Sequence, residues 1–298
     1  MRKLFFVFIS ISLLNVYSCD DGDIITVELD FGDTFKACGE SDLVLYKTKE
    51  DPSESLSIFI SNYTLASILK VGDDNTFSTN KSATLFYRTY SDATLPNDLF
   101  CSDIPPNVNI TLDESSSCTA EINTVLVEDD NDNVLALLED INGNGDLEDD
   151  DTDDDGLPNY IDMDDDGDNI LTKDENPDPN GDGVFDDAQD TDGDSIPDYL
   201  DADDDGDGVD TRDEENDSQD KNPANDITNS EVGADYLNPD VATTVVATAY
   251  REHTIIQTYT VSLIANGVSL SFLSQEALDF GTLSDSVLSS SRKVTPTF

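Results

Sequence analysis

DTDDDGLPNYIDMDDDGDNILTKDE, residues 151–175, recurs as DTDGDSIPDYLDADDDGDGVDTRDE at residues 190–214, with 15 identities in 25 positions at an offset of 39. Repetition at a fixed period marks an array built from one small structural unit. Within each copy the unit is a twelve-residue loop, D-x-D-x-D-G-x-x-x-x-x-[DE]. Asp164, Asp166 and Asp168 stand at positions 1, 3 and 5, Asn169 at 6 and Glu175 at 12; Asp203, Asp205, Asp207, Gly208 and Glu214 repeat that spacing. Asp151, Asp153, Asp155 and Asp162 form the same loop around Gly156, and Asp190, Asp192, Asp194 and Asp201 form it around Ser195. Looser versions begin at Glu128 (with Asp130, Asp132 and Glu139), at Asp140 (with Asn142 and Asn144) and at Asp178 (with Asn180 and Asp182).

Hard oxygen ligands at positions 1, 3, 5 and 12, with a residue at 6 that tolerates the turn, suit a six- or seven-coordinate Ca2+ ion. A lone acidic tract is usually a solvated surface, but four loops in register point to calcium as the cofactor. Mg2+ resists dehydration and rarely fills an all-protein cage. Zinc or copper would call for His or Cys, and residues 128–215 contain neither. Where Asn142, Asn144 and Asn180 replace carboxylates, affinity should fall with the ligand charge.

An EF-hand needs a helix on each side of its loop. Here only Met163 separates the loop ending at Asp162 from the one starting at Asp164, and Pro158 and Pro197 at position 8 oppose a following helix. The segments DTDDDGLPNYID and DTDGDSIPDYLD resemble the thrombospondin type 3 repeat. That resemblance, over roughly residues 128–215, implies a chain wrapped around a row of calcium ions with little other core. Residues 226–240, DITNSEVGADYLNPD, look like a further unit that keeps Asp235, Tyr236 and Leu237 but has lost the acidic triplet; no metal is expected there.

The chain carries 67 Asp and Glu against 14 Lys and Arg, a formal charge of −53, and residues 128–215 hold 38 of those acids against Lys173 and Arg212. Nucleic acid is excluded as a partner, because phosphate binding needs clustered cations. At 37% apolar the chain can still build a core. On either side of the array the pattern changes to period two: Ile25, Val27, Leu29 and Phe31, then Leu56, Ile58 and Ile60, with further runs at 43–46, 84–90, 108–112 and 124–127. Near the C-terminus, Tyr259, Val261 and Leu263 lead into Asn266-Gly267, and Val268, Leu270 and Phe272 lead out, the pattern of a hairpin. The fold class expected is therefore mainly β: a β-sandwich-like domain over 19–127, a calcium-cored array without EF-hand helices over 128–240 with its last unit degenerate, and a C-terminal β segment over 241–298.

Arg2 and Lys3 precede an apolar run, Leu4 to Val16, too short to span a bilayer. The run ends in Val16-Tyr17-Ser18-Cys19, which resembles a bacterial lipobox and implies a signal peptide over 1–18 and lipidation of Cys19. The other reading is an ordinary signal peptide in which Cys19 happens to fall. Asp20-Asp21-Gly22-Asp23 resembles the acidic export tag of lipoproteins delivered to the outer face of the outer membrane; a solvated linker would look similar. The partner implied is the outer membrane, reached through Cys19, at the surface of a Gram-negative bacterium. Three cysteines then remain in an oxidising compartment. Cys38 and Cys101 flank most of the first domain and are the pair expected, leaving Cys118 in a Ser-rich loop; an odd thiol could also join two chains.

The whole chain resembles a group of surface lipoproteins with an SCDDGDI start, an FCxxIPP segment (Phe100 to Pro106), calcium repeats and a final β segment containing DFGT (Asp279 to Thr282). The group has no activity to carry over. Three functions are weighed. An enzyme is disfavoured, since the single histidine, His253, has no nucleophile motif nearby. A surface glycan- or protein-binding module could use Tyr46, Tyr63, Phe77, Tyr87 and Tyr90 as stacking faces. The reading placed first is a calcium-stiffened surface lipoprotein that spaces or displays its β domain, in adhesion. Apolar residues in the array are too few to offset backbone ordering, so metal binding and folding should be one event.

Overall fold

The computed structural model describes residues 29–215 and 220–298. The signal run, Cys19, the acidic stretch after it, Ile25 and Val27 lie outside the described residues. Eight strands form one sheet: β1 (Thr34–Cys38), β2 (Leu43–Glu50), β3 (Ser53–Ile60), β4 (Thr76–Tyr90), β5 (Ile110–Asp129), β6 (His253–Ser269), β7 (Ser274–Leu283) and β8 (Ser289–Val294). Their order is β5-β4-β3-β2-β1-β7-β6-β8, and β5 also pairs with β6, so seven strands close into a barrel with β8 attached outside the ring. The mainly β class holds, and among the described residues no EF-hand helix flanks the acidic loops, which carry only three-residue 3-10 turns. The sandwich-like packing expected of the N-terminal strands is realised as a closed barrel, completed by β6 and β7 from the C-terminal segment. Closure removes the two free edges that strands β1 and β5 would otherwise present.

Alternation explains how the interior fills. Leu56, Ile58 and Ile60 on β3 face inward as expected, joined by Leu43 and Leu45, Leu85 and Tyr87, Ala120 and Ile122, Val261 and Leu263, and Phe280. Expected runs at 108–112 and 124–127 are two ends of one 20-residue strand, β5. Between them Ser116, Cys118 and Ala120 point inward and are buried, paired with β4 at Leu85, Ala83 and Lys81, so the Ser-rich stretch is strand and not loop. Cys118 is buried with a free thiol whose pKa burial pushes up. Cys38 and Cys101 are disulfide-bonded, Cα atoms 5.5 Å apart. The one-turn helix α1 (Leu65–Ile68) packs Ile68 onto the core, where the buried Thr124 hydroxyl donates to its carbonyl at 2.6 Å.

Two sequence expectations shift. Leu29 and Phe31 are not strand; they pack against the edge of the core, and the sheet begins only at Thr34. Asn266-Gly267 is not a hairpin turn. Strand β6 runs through it, held by β5 and β7, and the chain turns between Leu270 and Leu273. Gly267, at φ +79°, moves the inward face by one residue, from Val261, Leu263 and Ala265 to Val268 and Leu270. Local turn propensity thus loses to ladders on both sides of the strand.

The acidic array is an insertion between adjacent antiparallel strands. The chain leaves β5 at Asp129 and re-enters at His253, and Asp129 pairs with Ile256. Residues 241–252 return along the array as a strap: Val245 N–H donates to the Asp213 carbonyl (2.6 Å), Arg212 to the Tyr250 hydroxyl (3.2 Å) and Arg251 to the Asn169 carbonyl (3.0 Å).

Candidate cation-binding array

Each loop is held by its own carboxylates before any ion is considered. The position-1 side chain accepts from the N–H of position 6: Gly145 to Asp140, Gly156 to Asp151, Asn169 to Asp164, Gly183 to Asp178, Ser195 to Asp190 and Gly208 to Asp203. These turns put every position-6 residue at positive φ, including Ser195 at +88°. An L side chain there costs about 1–2 kcal/mol, partly offset by the greater unfolded freedom of glycine. Ser195→Gly is therefore expected to stabilise the chain by about 0.5–1 kcal/mol, read as a higher melting temperature in calcium.

A second brace spans the loop. The N–H of position 9 donates to the carbonyl just before position 1 in five units: Asn159 to Asp150, Thr172 to Met163, Asp198 to Gln189, Thr211 to Ala202 and Asp235 to Asp226. The position-9 side chain also accepts from the position-2 N–H, as in Thr191 to Asp198 (2.7 Å) and Thr228 to Asp235 (2.7 Å). Residues 226–240 keep this brace without the acidic triplet, which explains why Asp235 and Tyr236 persist there. One-turn 3-10 helices follow at positions 9–11, for example Asn159–Ile161 and Asp198–Leu200.

Five groups of carboxylates converge, each with ligand atoms within 4.8 Å of one another. Three lie within single loops: Asp151, Asp153 and Asp155; Asp190, Asp192 and Asp194; Asp203, Asp205 and Asp207. Two cross between loops. Asp130, Asp132 and Glu139 are joined by Asp165, and Asp166, Asp168 and Glu175 by Asp204. All eight of these residues are buried, at 5% exposure or less. Asp165 and Asp204 are absent from the sequence-derived ligand set. The signal was the residue at position 2, which is Thr152 or Thr191 in the first loop of each long repeat but aspartate in the second.

The other sequence-derived ligands are placed differently. Glu128 lies on β5, where Arg292 holds both of its oxygens at 2.8 Å and Gln257 donates to one, lowering its pKa; it belongs to the barrel wall and not to a carboxylate group. Asp164 is buried and spent on the Asp168 and Asn169 amides. Asn142 and Asn144 turn their amides to Asp149 and Asp150. Asp178 caps the Gly181, Asp182 and Gly183 amides in the open, and among the described residues neither it nor Asp182 belongs to a converging group of three carboxylates. Asp162 lies 2.8 Å from His253 Nδ1 at the barrel mouth. Asp201 accepts from the Asp203 amide, and buried Glu214 sits beside the group of its own loop, whose charges help to raise its pKa. Tyr46, Tyr87 and Tyr90, weighed above as stacking faces, are buried.

The electrostatics are those of crowded anions. Burial first, then Asp132 and Glu139, push Asp130 up to about 10. Burial and Asp132 raise Glu139 to about 8, and burial raises Asp132 to about 6. In the second group burial and Asp168 raise Asp204 to about 10, and burial raises Asp168 to about 8. Buried oxygens without a hydrogen-bond partner include Asp130 Oδ2, Asp132 Oδ2, Glu139 Oε1, Asp166 Oδ2, Asp168 Oδ2, and both oxygens of Asp165, Glu175 and Asp204. Leaving such atoms unsatisfied costs several kcal/mol unless they are protonated or bound to a cation. The donor set, all carboxylate oxygen, fits a hard divalent ion of the calcium class.

A folded-state pKa above the unfolded value means that the folded form holds extra protons. Without cations, stability is therefore present below about pH 4 and is lost as pH rises from there to each group's folded value, about 6 to 10, at about 1.4 kcal/mol per group for each pH unit until that value is passed. Metal-stripped protein is expected to keep its tyrosine near-ultraviolet dichroism better at pH 5 than at pH 8. Equal signals at both values would contradict the sign.

Residues 129–185 match the family model described as BamM C-terminal, which covers less than a quarter of the chain. No curated protein and no solved structure matches.

Proposed function

We propose that the chain is a non-enzymatic calcium-binding lipoprotein of the bacterial outer membrane, exposed at the cell surface, in which a β-barrel displays a calcium-stiffened repeat array for adhesion. The observation that carries the cation reading is the pair of enclosed four-carboxylate groups whose inward oxygens lack donors. The thrombospondin type 3 likeness of the loops agrees with it. The lipobox at Cys19 and the BamM-like segment support the location. Because the array starts and ends on paired strands, it is carried by the barrel as a projection and does not separate two β domains.

Calorimetric titration of the metal-stripped full chain tests the reading: Ca2+ should bind at several sites and outcompete Mg2+, with proton release at pH 7. Silent titration would overturn it. Mass spectrometry of the mature chain should find acyl mass on Cys19. A protein-binding role is the second reading, favoured by the exposed aliphatic row Leu135, Leu137, Leu138 and Ile141 at the start of the array.

A further inference from the structure

The two crossed carboxylate groups occupy particular places in the fold. Asp130 directly follows the last residue of β5 and Asp132 comes two positions later, so the first group sits where the array leaves the barrel. Its fourth member, Asp165, comes from a loop 26 residues beyond Glu139. The chain entering that loop is docked on the start of β6: Thr254 N–H donates to Met163 Sδ at 3.1 Å, and His253 lies against Asp162, which ends the preceding loop. Asp165 is 2% exposed and neither of its oxygens has a hydrogen-bond partner, although its amide is fixed by the Thr172 hydroxyl at 3.1 Å. A side chain so placed faces three other carboxylates, with no hydrogen-bond partner among the described residues.

The next residue, Asp166, belongs to the second group, whose fourth member is Asp204, 39 positions after Asp165 and braced in the same way by Thr211. Asp204 in turn lies between Asp203 and Asp205 of the third group. Consecutive residues thus serve consecutive groups. Buried Tyr199 stands beside the first group, where Asp165, Glu139 and Asp132 act on its hydroxyl; buried Tyr236 stands in the same relation to Asp204, Glu175 and Asp168 of the second.

We propose that Asp130, Asp132, Glu139 and Asp165 hold a divalent cation that locks the array onto the mouth of the barrel, and that Asp166, Asp168, Glu175 and Asp204 hold a second that locks the following repeat onto the first. This rests on the calcium-binding reading and adds to it that the ligands at position 2 make the array one coupled body docked on the barrel. Loops acting alone would leave Asp165 and Asp204 buried, charged and without purpose. Ligands drawn from distant loops also explain why the strap meets the array at the loops that donate them, Arg251 at the Asn169 carbonyl and Val245 at the Asp213 carbonyl.

The test uses the full metal-stripped chain with Tb3+ and Ca2+ as probes. The protein has no tryptophan, so terbium emission excited at 280 nm, roughly the tyrosine band, comes through tyrosine alone. Compared are wild type, Tyr199→Phe, Asp165→Asn, Asp165→Ala as the form with no side-chain oxygen, and Asp154→Asn as an exposed control outside every group. Tyr199→Phe should lose part of the emission at unchanged Ca2+ affinity. Both Asp165 variants should weaken one site at least tenfold, about 1.4 kcal/mol. In saturating Ca2+ they should also speed hydrogen exchange at Thr254 and at residues 130–139 by tenfold or more, with the β3–β4 ladder unchanged. Wild-type binding of both ions with unaltered affinity and exchange in the Asp165 variants would overturn the shared-ligand joint and leave calcium binding standing. Absence of binding in the wild type would overturn both.

Discussion

Stripping divalent cations from the full chain at pH 8 is expected to unfold residues 130–240 and leave the barrel intact. Apart from Pro158, Pro177 and Pro223, only six apolar side chains of that stretch are buried among the described residues: Val134, Ile161, Ile170, Leu171, Tyr199 and Tyr236. At about 1.5–3 kcal/mol each they fall far short of the ordering cost of about 1–2 kcal/mol per residue. The crowded carboxylates add repulsion that only protons or cations relieve. Barrel stability has another source, a continuous apolar interior from Phe35 to Phe280. Protease added with EDTA should therefore cut within the array. The resulting pieces should stay together, because eleven residue pairs join β5 to β6 across the insertion point. They should co-elute in native buffer and separate in denaturant. An array equally resistant with and without chelator would refute the expectation.

Gly281→Ala is expected to destabilise the barrel at its closing seam by about 3–5 kcal/mol. The ring closes through β1 and β7, a parallel pairing of only two residue pairs, Thr34 with Thr282 and Phe35 with Leu283. Backbone bonds from Thr282 N–H to the Asp33 carbonyl (2.9 Å) and from Ser284 N–H to the Phe35 carbonyl (2.8 Å) hold it. A methyl group on Gly281 would overlap that Asp33 oxygen, and Gly281 sits at φ +84°. Steric displacement costs about 1–3 kcal/mol, the positive φ about 1–2, and a lost seam bond about 1. Gly267→Ala separates the terms, since Gly267 shares the positive φ but has open space around its Cβ position. It should lose only about 1–2 kcal/mol in urea unfolding of the calcium-loaded chain. Equal losses from the two would show that the close approach at the seam is unimportant.

Much of the candidate site was legible because ligand spacing is a local property. The triplets at Asp151, Asp190 and Asp203 converge within single loops, and the turn residue at position 6 adopts the backbone its type suggested. Asp165 and Asp204 were hidden because their roles depend on loops 26 and 29 residues away in the chain. Glu128 misled for the complementary reason: its spacing fits the loop, but its place on β5 sets it opposite Gln257 and within reach of Arg292. Cys118 and Asn266-Gly267 were read by local propensity and reassigned by pairing on both flanks.

The amino-acid sequence by itself determined the β character of the flanking segments, the repeat, its oxygen-only chemistry and the absence of flanking helices, since each follows from periodicity or spacing over a dozen residues. Tertiary structure alone decided that β1 and β7, whose paired residues Thr34 and Thr282 lie 248 positions apart, close one barrel, that the array is an insertion strapped back on itself, and that two carboxylate groups are shared between loops. Those features depend on which distant segments meet, and burial across the whole chain selects that; no local pattern encodes it.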